Sequence, residues 1–169
     1  LKMEGKENGL FLGNKGAMTV TAGQDATFTS HAADYNGFGD AAYEGCVEAE
    51  GLDLTTGPMD PDNHPVLNIT SENGSINVTG GRHGVVSFIY SDVNLKAAND
   101  NKITAGTATH KRPINYSRYQ QSAAIFADER GNVSLEAGHD NELNSSLNGI
   151  ISFYGSDTTV TAGHSNILR

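Results

Sequence analysis

The stretch "RGNVSLEAGHDNEL" at residues 130–143 contains a phrase that returns along the chain. "MTVTAG" (18–23), "INVTGG" (76–81), "VNLKAA" (93–98), "VSLEAG" (133–138) and "TTVTAG" (158–163) superpose without a gap. A second short run, ending in turn-forming residues, precedes each copy: "LFLGNKG" (10–16), "LNITSENG" (67–74), "VSFIYSD" (86–92), "IFADERG" (125–131) and "ISFYGSD" (151–157). The repeat unit therefore reads as strand, turn, strand, corner. Counted at the corner residues Gly23, Gly81, Ala98, Gly138 and Gly163, the intervals are 58, 17, 40 and 25. Two lie near twenty, and the others are a coil plus an insertion. A strand-built period of about 20 residues is the mark of a β-solenoid, since helical repeats run to about 33–47.

Within the phrase apolar and polar residues alternate strictly. Met18, Val20 and Ala22 fall on one face and Thr19 and Thr21 on the other; Val133, Leu135 and Ala137 oppose Ser134 and Glu136 in the same way. Stacked coils are expected to align Met18, Ile76, Val93, Val133 and Thr158 in one ladder, and Val20, Val78, Leu95, Leu135 and Val160 in the next. Ala22, Gly80, Ala97, Ala137 and Ala162 form a third ladder of small residues. The glycine that usually follows is read as turning the corner at backbone angles a Cβ forbids.

The 169 residues form a single solenoid segment, with two excursions at 31–65 and 104–122. The first carries Tyr35, Phe38 and Tyr43 among acidic residues, and its "AAYEGCVEAEG" (41–51) has the composition of a short helix. The second carries Lys111, Arg112, Tyr116, Arg118 and Tyr119. Loops on a rigid scaffold are where recognition sits, and Tyr and Arg are its favoured anchors. Tyr35, Phe38, Tyr43, Arg112, Tyr116, Arg118 and Tyr119 are thus the candidate binding residues. The competing reading has the loops cover a sheet that is apolar on both faces. In "VVSFI" and "IISFY", Val86, Phe88, Ile151 and Phe153 point one way, and Val85, Ile89, Ile150 and Tyr154 the other.

A net charge of −9 without basic clusters argues against nucleic acid and against anionic membrane surfaces. No apolar run is long enough to span a bilayer. Cys46 is the sole cysteine, which rules out an internal disulfide. The sequons at Asn68, Asn73, Asn77, Asn115, Asn132 and Asn144 read as outward strand and turn residues. Asp92 and Asp157 share one turn position and Asp25 and Asp140 another, where Asp serves backbone hydrogen bonding rather than acid–base chemistry. His139 and His164 follow the corner in successive coils, but two imidazoles without a third ligand do not define a metal site. No catalytic residue, metal or cofactor is expected.

"RGNVSLEAGHD", "KGAMTVTAGQD" and "NGSINVTGGRHG" resemble the repeats of filamentous-haemagglutinin-type adhesins and autotransporter passenger domains of Gram-negative bacteria. The resemblance covers the five coils and not the excursions. It implies an all-β, right-handed parallel β-helix of about five coils, not an enzyme. Such a segment is displayed on the cell surface, held at the outer membrane, or secreted. Its expected partners are proteins or glycans of host cells, matrix or other bacteria, with neighbouring coils of a longer chain or a second copy against its ends. Two other readings stand beside it: a carbohydrate-active β-helix, either polysaccharide lyase or phage tail-spike depolymerase, and a trimerising spike segment.

Overall fold

Three parallel sheets wrap around one apolar core in the computed structural model, which describes residues 1–5, 8–13, 15–31, 45–51, 64–106 and 122–169. The strands in chain order are β1 Lys2–Gly5, β2 Leu10–Gly13, β3 Ala17–Ala22, β4 Ala26–Ser30, β5 Gly45–Glu50, β6 Val66–Ser71, β7 Ile76–Thr79 and β8 His83–Phe88. They continue as β9 Asp92–Ala97, β10 Asn101–Ala105, β11 Ala123–Asp128, β12 Asn132–Ala137, β13 Asp140–Ser145, β14 Asn148–Ser152, β15 Thr158–Ala162 and β16 Ser165–Leu168. Every third strand joins the same sheet. Sheet A runs β1-β4-β7-β10-β13-β16, sheet B β2-β5-β8-β11-β14 and sheet C β3-β6-β9-β12-β15. All neighbouring strands pair in parallel, so the fold is a parallel β-solenoid of five three-stranded coils, with β16 opening a sixth.

The coil is longer than the phrase predicts, because a third strand follows each corner. Register partners Lys2, Thr27, Asn77, Lys102, Glu142 and Ile167 are spaced 25, 50, 25, 40 and 25 residues apart. The coil is thus 25 residues, and coils two and four carry about 25 and 15 more. That third strand also corrects one rung. "INVT" (76–79) is β7 in sheet A, while the sheet C partner of Met18, Val20 and Ala22 is β6, with Leu67, Ile69 and Ser71. The ladders are therefore Met18, Leu67, Val93, Val133, Thr158 and Val20, Ile69, Leu95, Leu135, Val160, with Ala22, Ser71, Ala97, Ala137, Ala162 beside them. Ile76 and Val78 are buried too, but against Asn101 and Ile103. Both strands show the same period-two apolar pattern, so pattern alone does not tell their sheets apart.

The excursions are smaller than expected. Gly45–Glu50 is strand β5, not a helix, and it divides 31–65 into two parts; Thr104 and Ala105 belong to β10. Cys46, Val47 and Ala49 of β5 are fully buried in the core, which is why this short acidic-looking run is extended. Cys46 is a free thiol, and burial pushes its pKa up.

Sheets A and C alternate buried and exposed residues, as a sheet with one solvated face must. Sheet B does not: β8 and β11 are buried throughout. Val85, Ile125 and Ile150 join the main core, whereas Val86, Phe88, Phe126 and Ile151, with Phe153, form a second cluster on the outer face. Ile89 and Tyr154 break the expected alternation. Ile89 packs on the outer cluster and Tyr154 is exposed, because both lie past the strand ends at positive φ, 50° and 46°.

The corner glycines Gly138 and Gly163 work by close approach rather than by positive φ, which is confined to Gly16, Gly106 and Gly155 among the described glycines. A Cβ on Gly138 would lie 2.0 Å from the Ala98 carbonyl oxygen of the rung below, whereas one on Gly23 would meet nothing within 4 Å. Gly138→Ala should therefore cost about 1–3 kcal/mol of stability, as overpacking does. Gly23→Ala should be nearly silent, and paired urea melts of the two variants check the contrast.

Candidate functional site

The candidate residues Tyr35, Phe38, Tyr43, Arg112, Tyr116, Arg118 and Tyr119 lie outside the described residues. Their points of departure are within them. The chain leaves β4 after Ser30 and returns at β5, and leaves β10 after Ala105 and returns at β11. Both exits are therefore at the corner from sheet A to sheet B, in coils two and four. Coil three passes this corner in the three residues Gly80, Gly81 and Arg82. The two departures stand two rungs apart, roughly 10 Å along the solenoid axis.

A second Tyr and Arg grouping, which the sequence does not make contiguous, lines the corner from sheet B to sheet C. Tyr90, Arg130 and Tyr154 come from the turns after β8, β11 and β14. The Arg130 guanidinium carbon lies 5.0 Å from the centre of the Tyr90 ring, and Arg130 donates a hydrogen bond to the Tyr90 hydroxyl. Tyr154 is 60 % exposed. The signal was the turn that follows the sheet B strand in "FIYSD", "ADERG" and "SFYGSD"; the coil stacks Arg130 on Tyr90, which the chain separates by 40 residues, while Tyr154 falls at the repeat position of Glu129.

The corner from sheet C to sheet A holds the titratable groups. Asp25, Ser75, Asp100, Asp140 and Ser165 occupy one position here, and His139 and His164 the position before it. The turn aspartates do accept backbone hydrogen bonds, Asp25 from Ser75 N at 2.8 Å and Asp100 from Asp140 N at 3.2 Å. At the other turn position, Asp92 pairs with His64 at 2.7 Å and accepts a hydrogen bond from Asn132 at 2.9 Å.

The two histidine rings stack, with centroids 4.9 Å apart and planes 10° from parallel. That is the rung spacing of a parallel sheet carried out to a side chain. His164 Nδ1 lies 2.8 Å from Asp140 Oδ1, and His139 Nδ1 lies 3.0 Å from Asp140 Oδ2. His139 Nδ1 is also 3.3 Å from Asp100 Oδ1, whose carboxylate meets Lys102 at 3.3 Å. The hydrogen bond with His164 holds the Asp140 carboxyl below its ordinary value against the opposing effect of desolvation, and the His139 and His164 charges add to the lowering.

One further polar element escapes the sequence reading, which stops at the corner residue. Asn101, Asn141 and Asn166 stand three positions after Ala98, Gly138 and Gly163 and stack as a ladder. Asn101 Nδ2 donates to Asn141 Oδ1 and Asn141 Nδ2 to Asn166 Oδ1, each at 2.8 Å. Asn101 and Asn141 also donate to the Glu136 and Thr161 carbonyls, at 3.0 and 2.8 Å, tying sheet A to the end of sheet C. The ladder stops where Ile76 replaces Asn, leaving Asn101 Oδ1 buried without a partner.

Comparison with protein-family models, curated proteins and solved structures finds no match to this chain.

Proposed function

We propose that this chain is a scaffold segment of a Gram-negative cell-surface or secreted adhesin of the filamentous-haemagglutinin-like or autotransporter-passenger kind. Its recognition residues ride on excursions from the solenoid. One observation carries the reading: the segments holding Tyr35, Phe38 and Tyr43, and Arg112, Tyr116, Arg118 and Tyr119, depart from the same corner of a rigid stack two rungs apart. A stack of backbone-paired rungs fixes the points at which the chain leaves β4 and β10, and fixed points of departure favour binding by cutting the cost of ordering. The polar outer faces of sheets A and C suit a stalk that stays solvated. The ligand class is a protein or glycan of a host cell, the matrix or another bacterium.

The test is an array of glycans and matrix proteins probed with the chain and with a version in which residues 107–121 are replaced by a short Gly/Ser linker. This replacement spares Thr104 and Ala105, which pair with Asn144 and Ser145 in sheet A. The expected result is binding by the intact chain and at least tenfold weaker binding by the variant, with an unchanged β-type circular dichroism spectrum. Equal binding by both would move recognition off the excursion, binding by neither would leave a stalk, and cleavage of an arrayed glycan would replace the adhesin with a carbohydrate-active enzyme.

A further inference from the structure

The stacked corner residues His139 and His164, together with Asp140, form a site that we propose binds a zinc-class divalent metal ion, independently of the adhesin reading. Their donor atoms all lie within 4.8 Å of one another. The sequence leaves the two imidazoles without a third ligand. The fold supplies it, because the residue after His139 faces His164 across one rung, and its carboxylate spans both Nδ1 atoms at 3.0 and 2.8 Å. Two imidazoles and one carboxylate, with an open fourth position, are a donor set that borderline divalent ions take at about 2.0–2.2 Å per bond.

The backbone under the site is fixed. His139 N donates to Asn99 O at 2.9 Å and His164 N to His139 O at 2.8 Å, so the two Cα positions are held one rung apart by the solenoid itself. The rings now lie parallel, each with its Nδ1 donating to the Asp140 carboxylate. Coordination requires each ring to turn about its outer torsion so that the donors stand roughly 3.3 Å apart, the edge of a tetrahedral set, with the Nδ1–carboxylate contacts opening from 3.0 and 2.8 Å. At 60 % and 67 % exposure the His139 and His164 side chains have the room to do so. Each imidazole then carries its proton on Nε2, and the hydrogen bonds to Asp140 give way to metal bonds. Asp100 Oδ1, 3.3 Å from the same His139 Nδ1, is paired with Lys102 at 3.3 Å and stands outside the three-ligand set. His31 with Glu4 and His64 with Asp92 belong to no such three-ligand group among the described residues.

The experiment is calorimetric titration of zinc chloride into the chelator-treated full chain, beside His139→Gln, His164→Gln, the double variant and His31→Gln. One zinc ion per chain is expected, at least tenfold weaker in either single corner variant, lost in the double variant and unchanged in His31→Gln. Retention of wild-type binding by the double variant would overturn the site, as would the absence of zinc binding by the wild type. Should the double variant fail to fold, adding Co²⁺ to the wild type decides the matter. The ring proton signals of His139 and His164 must then broaden before that of His31, and broadening elsewhere first would refute the proposal.

Discussion

Leu135→Asp abolishes cooperative folding of the solenoid. Leu135 is fully buried at the centre of β12, with Leu95 in the rung below and Val160 in the rung above. The ladder and the core cluster that it joins are apolar, so a carboxylate there would meet no partner. An uncompensated buried charge costs about 3–5 kcal/mol. A domain holds only about 5–15 kcal/mol in all. In a solenoid the loss does not stay local, since each rung covers the apolar face of the next. Disrupting the fourth of the five rungs in sheet C leaves three coils on one side and little more than one on the other, stubs too short to bury their cores. Circular dichroism should show loss of the β signal and of any sharp thermal transition. Ser134→Asp, one residue away on the outward face, should change stability by less than about 0.5 kcal/mol. A Leu135→Asp protein that is soluble and melts cooperatively would refute the inward assignment of that ladder.

Asn141→Leu should destabilise the chain by about 2–4 kcal/mol, because three hydrogen bonds are lost and buried partners are left behind. Asn141 is fully buried, bonded to Asn101, Asn166 and the Thr161 carbonyl. Leucine is close in size, so the change tests the hydrogen bonds rather than the packing. Asn101 keeps its bond to Glu136 O, which limits the damage on that side. Asn166→Leu at the exposed end of the ladder should cost less, since water replaces the lost partner. Urea melts with an unchanged slope and a midpoint lowered most by Asn141→Leu are the expected record. A neutral Asn141→Leu would mean that the ladder only fills space.

The two substitutions differ in how far the sequence foretells them. Leu135 is legible from alternation alone, because a half-buried strand writes its inward face in every second residue. The same logic separates Val85 from Val86 and Ile150 from Ile151, and it holds as long as the residue stays in the strand. It fails at Ile89 and Tyr154, where left-handed backbone ends the period. Asn141 is legible only in retrospect. Its repeat position, three after the corner, is visible in "NDN", "HDN" and "HSN", but polarity there reads as a turn until the third strand is known.

By itself the sequence determined that the chain is a strand-built solenoid, which residues of most strands face inward, and that a small residue usually sits at the corner, because these are local and periodic properties. The tertiary structure alone decided the 25-residue coil, the transfer of Ile76 and Val78 from sheet C to sheet A, and the strand hidden in the acidic excursion. It also decided the juxtapositions: Tyr90 with Arg130, Asn101 with Asn141, and His139 with Asp140 and His164. Register between rungs makes these contacts. It is settled by which of several equally apolar strands lies against which, a choice that depends on the whole stack and that no single strand records.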